Sequence, residues 1–278
     1  MNLSDFDLAC TATALYLYPV KACAAMPVRQ LVLDAGGWAA GDRGWAIVND
    51  QDEVTWQGAH PRLALVQPRV PDGRLHLGAS GVDEVATPAA LTPRRVKIWS
   101  DLEARHLAYD AEDAGDAVAA WLAQVVGAPL RLVRLSDAAR TREGNNALHL
   151  VFSPSVAAVD VQLAAAGLAP ADPRRYRPNI VLSVPAGEGV EFIEESLAAL
   201  EWQAGAAATR LEITAPCVRC PVPDVDPESA AVEPAVGDTL ARLSRQRRDG
   251  GTVFGVYARG PAGARLRVGD TARMDLAF

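Results

Sequence analysis

Short apolar runs broken by turn residues dominate the first hundred positions of the chain. Leu15-Tyr16-Leu17-Tyr18, Trp45-Ala46-Ile47-Val48, Leu63-Ala64-Leu65-Val66 and Val96-Lys97-Ile98-Trp99 are punctuated by Gly36-Gly37, Pro71-Asp72-Gly73 and Pro93. Runs of this length between turn signals predict strands. The period then changes. Val118, Trp121, Leu122 and Val125 recur at i, i+3, i+4 and i+7, on one face of a helix, with Asp113 placed to cap its start and Gly127 then Pro129 to stop it.

Beyond the helix, residues 130–135 predict a strand, 155–166 a helix after Ser153-Pro154 that ends at Gly167, and 179–184 another strand. Leu211-Glu212-Ile213, Phe254-Gly255-Val256-Tyr257 and Leu266-Arg267-Val268 continue the β pattern around one helix over 239–247. The Pro- and Gly-dotted stretches 185–189 and 260–263 are expected loops, and no internal repeat is visible. These elements describe a mixed α/β, β-rich chain with a boundary between two parts at 120–145.

With 278 residues, half of them hydrophobic, the chain can bury a sizeable core. Its 27 basic and 34 acidic residues leave a net charge of −7, which argues against a general nucleic-acid surface and confines any bound anion to a local basic pocket. The apolar run 8–20 has no basic residues before it and falls short of the roughly 20 residues a membrane span needs, so neither a signal peptide nor an anchor is expected. Cys10, Cys23, Cys217 and Cys220 are too few and too unevenly spread to staple the chain, which fits reduced thiols in a cytoplasm. His60, His76, His106 and His149 show no HExxH or paired spacing, so a histidine-built zinc site is not expected.

The sharpest chemical signal is Cys217-Val218-Arg219-Cys220-Pro221, followed by Asp226-Pro227. A structural zinc site would need a second pair of ligands, and a thioredoxin-like dithiol would need a βαβ setting without Pro221 and Pro223. Two buried thiols packing as small hydrophobes is the plain alternative. A further reading is one thiolate, Cys220, bound to a soft, high-valent metal carried by an organic cofactor, with Cys217 spare. Such a cofactor brings a phosphate, for which Lys21, Arg43 and Arg177 are the candidate holders, each otherwise readable as a solvated surface charge.

Several separated motifs then converge on one family. They are Tyr18-Pro19-Val20-Lys21, Gly41-Asp42-Arg43-Gly44-Trp45, His60-Pro61-Arg62-Leu63, Trp121-Leu122 to Val133-Arg134 at the junction, Arg177-Pro178-Asn179-Ile180, Cys217-Val218-Arg219-Cys220 to Asp226-Pro227, and Phe254-Gly255-Val256-Tyr257 with Arg267-Val268-Gly269-Asp270. In order and spacing the chain resembles proteins with a MOSC N-terminal β-barrel domain followed by a MOSC domain, the latter found at the C-terminus of molybdenum cofactor sulfurases. It is similar to the mitochondrial amidoxime reducing component and to YcbX-like proteins.

The resemblance implies a MOSC β-barrel domain with flanking helices over 121–278, packed against a smaller β-rich N-terminal domain over 1–120. It implies a molybdenum cofactor (Mo-molybdopterin), with Cys220 as the metal ligand and Lys21, Arg43, Arg177, Arg219 and Tyr257 at the cofactor. Arg219 is then expected to help keep the ligand thiol ionised, and Asp226 and Tyr257 are the candidate polar partners, grouped with Cys220 as catalytic. The implied activity is reduction of N-hydroxylated or N-oxide compounds by oxygen-atom transfer. Because the chain stops at Phe278, electrons are expected from a separate ferredoxin, cytochrome b5 or reductase-type protein, with no nucleic acid and no membrane involved. Alternative readings are a persulfide carrier on Cys220, a cofactor-binding protein without turnover, a pyridoxal phosphate site with Lys21 as Schiff base, and a ligand-free β-domain. Ala22 stands where relatives usually carry a serine, Gly58 replaces a frequent arginine, and Asp226-Pro227-Glu228-Ser229-Ala230 departs from the usual D-P-x-T-G.

Overall fold

A computed structural model describes residues 8–142, 147–185, 190–204 and 207–277. The first half carries β1 (Ala9–Leu17), β2 (Met26–Val28), β3 (Gln30–Val32), β4 (Trp45–Val48), β5 (Gln67–Arg69), β6 (His76–Ala79) and β7 (Val82–Ala86). It continues through β8 (Thr92–Ser100), β9 (Arg105–Asp113), α1 (Asp116–Val126), β10 (Arg131–Leu135) and α2 (Asp137–Arg140). The second half carries β11 (Leu148–Phe152), α3 (Ser153–Ala165), β12 (Ile180–Ser183), β13 (Leu197–Ala204) and β14 (Ala207–Val218). α4 (Ala235–Arg247), β15 (Val253–Arg259), β16 (Arg265–Arg267) and β17 (Thr271–Leu276) complete it.

The large sheet runs β12-β11-β15-β14-β13-β17-β1-β2, and β12 also pairs with β1, so seven strands close into a barrel with β2 appended. Closure removes the unpaired edges that an open sheet would expose. β11 and β12 pair in parallel, and α3 is the crossover that such a pair requires. The barrel interior is filled by residues such as Leu15, Leu150, Leu200, Leu211 and Trp202, whose indole N–H donates to Asp270 Oδ2 at 2.9 Å. The first strand of the chain thus belongs to the sheet built mainly by its second half.

The intervening stretch folds beside the barrel. A four-stranded sheet β4-β10-β9-β8 and a three-stranded sheet β5-β6-β7 enclose a separate apolar cluster around Ile47, Leu63, Leu77, Leu122 and Leu132. Val118, Trp121, Leu122 and Val125 of α1 are all buried there, and Gly127 at φ 83° ends the helix in a left-handed turn.

Three local expectations need correcting. Residues 63–66 do not form a strand: Pro61 opens a single 3-10 turn, Pro61–Leu65, because its fixed φ and missing N–H suit a first helical turn. Asp113 does not cap α1. The cap position is Gly115, and the Asp113 carboxylate instead accepts from Gly115 N at 2.6 Å and from Arg94 and Arg131. α3 starts at Ser153 rather than 155, with Pro154 in its first turn and Phe152 at the cap. β11 was not among the expected elements: all five of its residues are buried, so no alternation marks it. The expected loop 185–189 falls, after Pro185, outside the described residues.

Candidate functional site

The segment after β1 crosses from the barrel to the smaller sheet and carries the first two basic candidates. Arg43 N donates to Tyr18 O (2.8 Å), Trp45 N to Pro19 O (3.0 Å) and Lys21 N to Trp45 O (2.7 Å), which ties residues 18–21 to residues 43–45. Buried Asp42 receives the Tyr18 N–H at 2.7 Å and pairs with the Arg43 guanidinium. Ala22, Arg43 and Arg177 all have positive φ, at 69°, 50° and 58°. A non-glycine residue there costs on the order of 1–2 kcal/mol, so the surrounding bonds over-determine this backbone.

Arg177 arrives from the 3-10 turn Pro173–Tyr176 that precedes β12. Its Nη1 donates to Cys23 O at 2.6 Å, and its guanidinium carbon lies 4.2 Å from the Tyr18 ring centroid, with that of Arg43 at 5.1 Å. Burial pushes the Arg177 guanidinium down to about 10, and neighbouring Arg43 adds to the effect, but the group stays protonated at neutral pH. Asn179, fully buried, locks the two arginine segments together. Its Oδ1 accepts from His149 N (3.1 Å) and Arg43 Nη1 (3.2 Å), while its Nδ2 donates to Tyr16 O (3.1 Å).

The two thiols are not equivalent. The β14–β15 register slips between Pro216 and Val218, so Cys217 sits at an irregularity near the strand end, and such slips re-aim side chains. Cys217 is 2% exposed, whereas Cys220, beyond the end of β14, is exposed. Arg219, expected to serve Cys220, donates from Nη1 to Cys217 Sγ at 3.0 Å and from Nη2 to Tyr176 O at 3.0 Å. Burial alone would raise the Cys217 thiol, but the charges of His149 and Arg219 and hydrogen bonds from His149 and Tyr257 outweigh it and hold the thiol well below its usual range. Tyr257 shifts upward, through burial first and the Cys217 charge second, so its hydroxyl keeps its proton.

Lys21, Arg43, Arg177, Arg219, Cys220 and Tyr257 line one cleft of about 740 Å³ between the barrel and the smaller sheet. Asp226 does not line it. Its carboxylate is engaged with Arg175 Nη2 (2.7 Å) and Ser229 N (2.8 Å), which shapes the loop that follows the cysteines. A larger cavity of about 870 Å³, lined in part by Arg62, Gln67 and Arg174, contains none of the thiols. His149, whose ring nitrogens face Arg177 O and Phe254 O, also lines the cleft, as do Trp56 and Trp99, and Asn179 braces its arginines; none of the four is among the candidates expected from the sequence. Asn179 lay inside a quoted motif. A histidine in the uninterrupted apolar run 148–152 was the available signal for His149.

Residues 9–129 match the MOSC N-terminal beta barrel domain and residues 122–273 match the MOSC domain. The chain belongs to the MOSC domain family. Among similar proteins, the molybdenum cofactor sulfurase of Bos taurus is 26% identical over 92% of this MOSC chain and 31% of its own length. The Danio rerio sulfurase is 35% identical over 45% of the chain and 15% of its own length. Mitochondrial amidoxime-reducing component 1 of Xenopus laevis is 27% identical over 92% of the chain and 77% of its own length. The chain therefore spans about a third or less of the length of these sulfurases. Among the described residues, no helix is long and apolar enough to cross a membrane.

Proposed function

We propose that this MOSC chain binds the molybdenum cofactor in the 740 Å³ cleft and reduces N-hydroxylated or N-oxide compounds, with Cys220 as the protein's ligand to the metal. The observation that carries the reading is the convergence of Lys21, Arg43, Arg177 and Arg219 on the cleft that also holds an exposed thiol. The donor set fits an anionic, phosphate-bearing group: Arg177 Nη2 and Arg219 Nε are buried with no hydrogen-bond partner among the described residues. Unsatisfied buried guanidinium donors are costly, and a phosphate or other anion would relieve them. The names of two sets of relatives, cofactor sulfurases and amidoxime-reducing components, support the choice of cofactor and of substrate class.

When bound, the cofactor supplies the two-electron chemistry by which an N–OH group, two electrons and two protons become N–H and water. The electrons come from a separate electron-donor protein. The chain's own residues bind, orient and hold protons. Arg43 and Arg177 fix the anionic end, and the Asp42 carboxylate and Asn179 amide hold Arg43 in place. Arg219 and His149 stabilise negative charge on Cys217, which gives the cysteine pair one buried anionic member and one exposed ligand. Tyr257 keeps a proton on its hydroxyl at the cleft. Asp226 acts from outside the cleft by ordering residues 226–231, through Asp226 N to Ala231 O at 2.8 Å and the Ser229 bonds.

The test is metal and pterin analysis of protein made in a host that synthesises the cofactor, beside Cys220→Ala, with reduction of hydroxylamines coupled to reduced benzyl viologen. Molybdenum at the same level in both proteins removes Cys220 from the metal, and none in either removes the cofactor. A second reading, a persulfide carrier, is favoured by the exposure of Cys220. It requires cyanolysable sulfur on Cys220 and no viologen-coupled turnover.

A further inference from the structure

His149 lies on β11 directly opposite Tyr257 of β15, with 5.5 Å between the two ring centroids, and it is 3% exposed. Both of its ring nitrogens face backbone carbonyl oxygens: Nδ1 is 3.4 Å from Arg177 O and Nε2 is 3.2 Å from Phe254 O. A carbonyl oxygen only accepts, and a neutral imidazole has a single N–H, so in the neutral ring one of these contacts would set lone pair against lone pair. The doubly protonated ring satisfies both. The fold makes room for it: β15 passes so close at Gly255 that a Cβ there would stand 2.6 Å from His149 Nε2.

The surrounding groups decide whether that charge can be held. Arg177 precedes β12, Arg43 and Lys21 lie in the segment after β1, Arg142 follows α2 and Arg219 follows β14, all of them at the cleft. Asp42 offsets Arg43, while Glu53, Asp101 and His106 belong to the wall built by the smaller sheet. These cations oppose another positive charge, and a Cys217 thiolate is what offsets it. Cys217 Sγ accepts from Arg219 Nη1 at 3.0 Å and also from the His149 ring, and the Tyr257 hydroxyl bonds the same sulfur. A sulfur served by a guanidinium and an imidazole favours the thiolate with an imidazolium over the neutral pair.

We propose that His149 is a positioning residue held as an imidazolium against a Cys217 thiolate, and that this pair stores a proton which reaches the leaving oxygen of the substrate through the Tyr257 hydroxyl. This rests on the reductase reading of the cleft, in which N–OH, two electrons and two protons become N–H and water. Tyr257 gives its proton to the oxygen as the N–O bond breaks, and that oxygen leaves as water. The imidazolium proton then passes by way of Cys217 Sγ to the Tyr257 phenolate, which restores the thiolate and the phenol. His149, now neutral, regains a proton from solvent, and solvent supplies the second proton, the one taken by nitrogen.

Two readouts test this, the first on protein without cofactor. NMR of the His149 ring is expected to show both nitrogens protonated at neutral pH in the wild type and only one in Cys217→Ser, which keeps the shape of the side chain but not the ionised sulfur. The ultraviolet absorbance of a thiolate should be present in the wild type and reduced in Cys217→Ser. A bare ring nitrogen in the wild type, or no thiolate at Cys217, overturns the inference. In the loaded protein, with turnover normalised to molybdenum content, His149→Gln and Tyr257→Phe are each expected to lower kcat for hydroxylamine about a hundredfold with little change in KM. His149→Gln should also flatten the alkaline fall of kcat with pH, which loss of packing alone would not do. Cys217→Ser is nearly isosteric and should lower kcat to the same degree, so the test stands even if His149→Gln does not fold. An unchanged kcat in these variants overturns the proton route. A charged pair in a loaded wild type that reduces no N–OH compound upholds the pair and overturns the reductase reading instead.

Discussion

Gly255 offers the most direct test of how the barrel builds the cleft. It lies on β15 at φ 72°, and a Cβ there would stand 2.5 Å from Leu150 O, 2.6 Å from His149 Nε2 and 3.1 Å from Val151 Cγ2. Gly255→Ala therefore meets two separate costs. The left-handed backbone costs an alanine about 1–2 kcal/mol, and forcing a methyl against a backbone carbonyl adds the penalty of overpacking, about 1–3 kcal/mol. The sum is about 2–5 kcal/mol. Gly127→Ala is the control, because Gly127 has φ 83° and nothing within 4 Å of its Cβ position, so it carries the backbone cost alone. Urea unfolding followed by far-UV circular dichroism should put Gly255→Ala below Gly127→Ala by at least about 1 kcal/mol. Because His149 Nε2 is one of the atoms displaced, the hydrogen bond to Phe254 O should also be lost, visible as a shifted imidazole resonance. Equal losses in the two variants, or an unmoved His149 resonance, would refute the close approach of β15 to β11 as the reason for glycine.

Other consequences follow from single groups. Glu194, 1% exposed and accepting from Ser155 Oγ at 2.7 Å, is raised by burial to about 7 from an unfolded value of about 4.3. A raised folded value gives stability that is full below pH about 4 and lost as pH rises through about 7, so wild type should lose stability over that window while Glu194→Gln stays flat, as read by melting temperature against pH. Arg177→Gln removes a protonated guanidinium that bonds Cys23 O and has one donor unpaired, so cofactor retained after gel filtration should drop by an order of magnitude or more, at about 1.5–3 kcal/mol for a charge-assisted bond. Retention equal to wild type would remove Arg177 from the anion site. Asp113→Ala leaves Arg94 and Arg131 without their shared buried carboxylate and should cost about 2–3 kcal/mol in urea unfolding, with less difference from wild type as pH falls and the carboxylate protonates.

Elements that depend on local pattern were readable in the chain. The run 45–48 is β4 residue for residue, and the i, i+3, i+4, i+7 spacing gave the buried face of α1 with its stop at Gly127. The failures share a cause. Leu63-Ala64-Leu65-Val66 looks like a strand by composition, but Pro61 just ahead of it decides for a 3-10 turn. The all-buried β11 has no alternation to betray it, because both of its faces are covered.

For the site, the sequence by itself supplied residue types and their order: a thiol pair around an arginine, three distant basic residues and the family motifs. Tertiary structure decided which of them meet. Closing the barrel through β1 and β12 brings the segment after Tyr18 against Arg177, 156 to 159 positions later, a proximity no local pattern encodes. The same packing turns Arg219 toward buried Cys217 and leaves Cys220 facing the cleft, although both thiols flank that arginine almost symmetrically in the chain. It also sets Trp56 across Gly58. Sequence spacing fixes neighbours along one element, whereas burial, charge pairing and the direction of a side chain depend on surfaces that only the closed fold brings together.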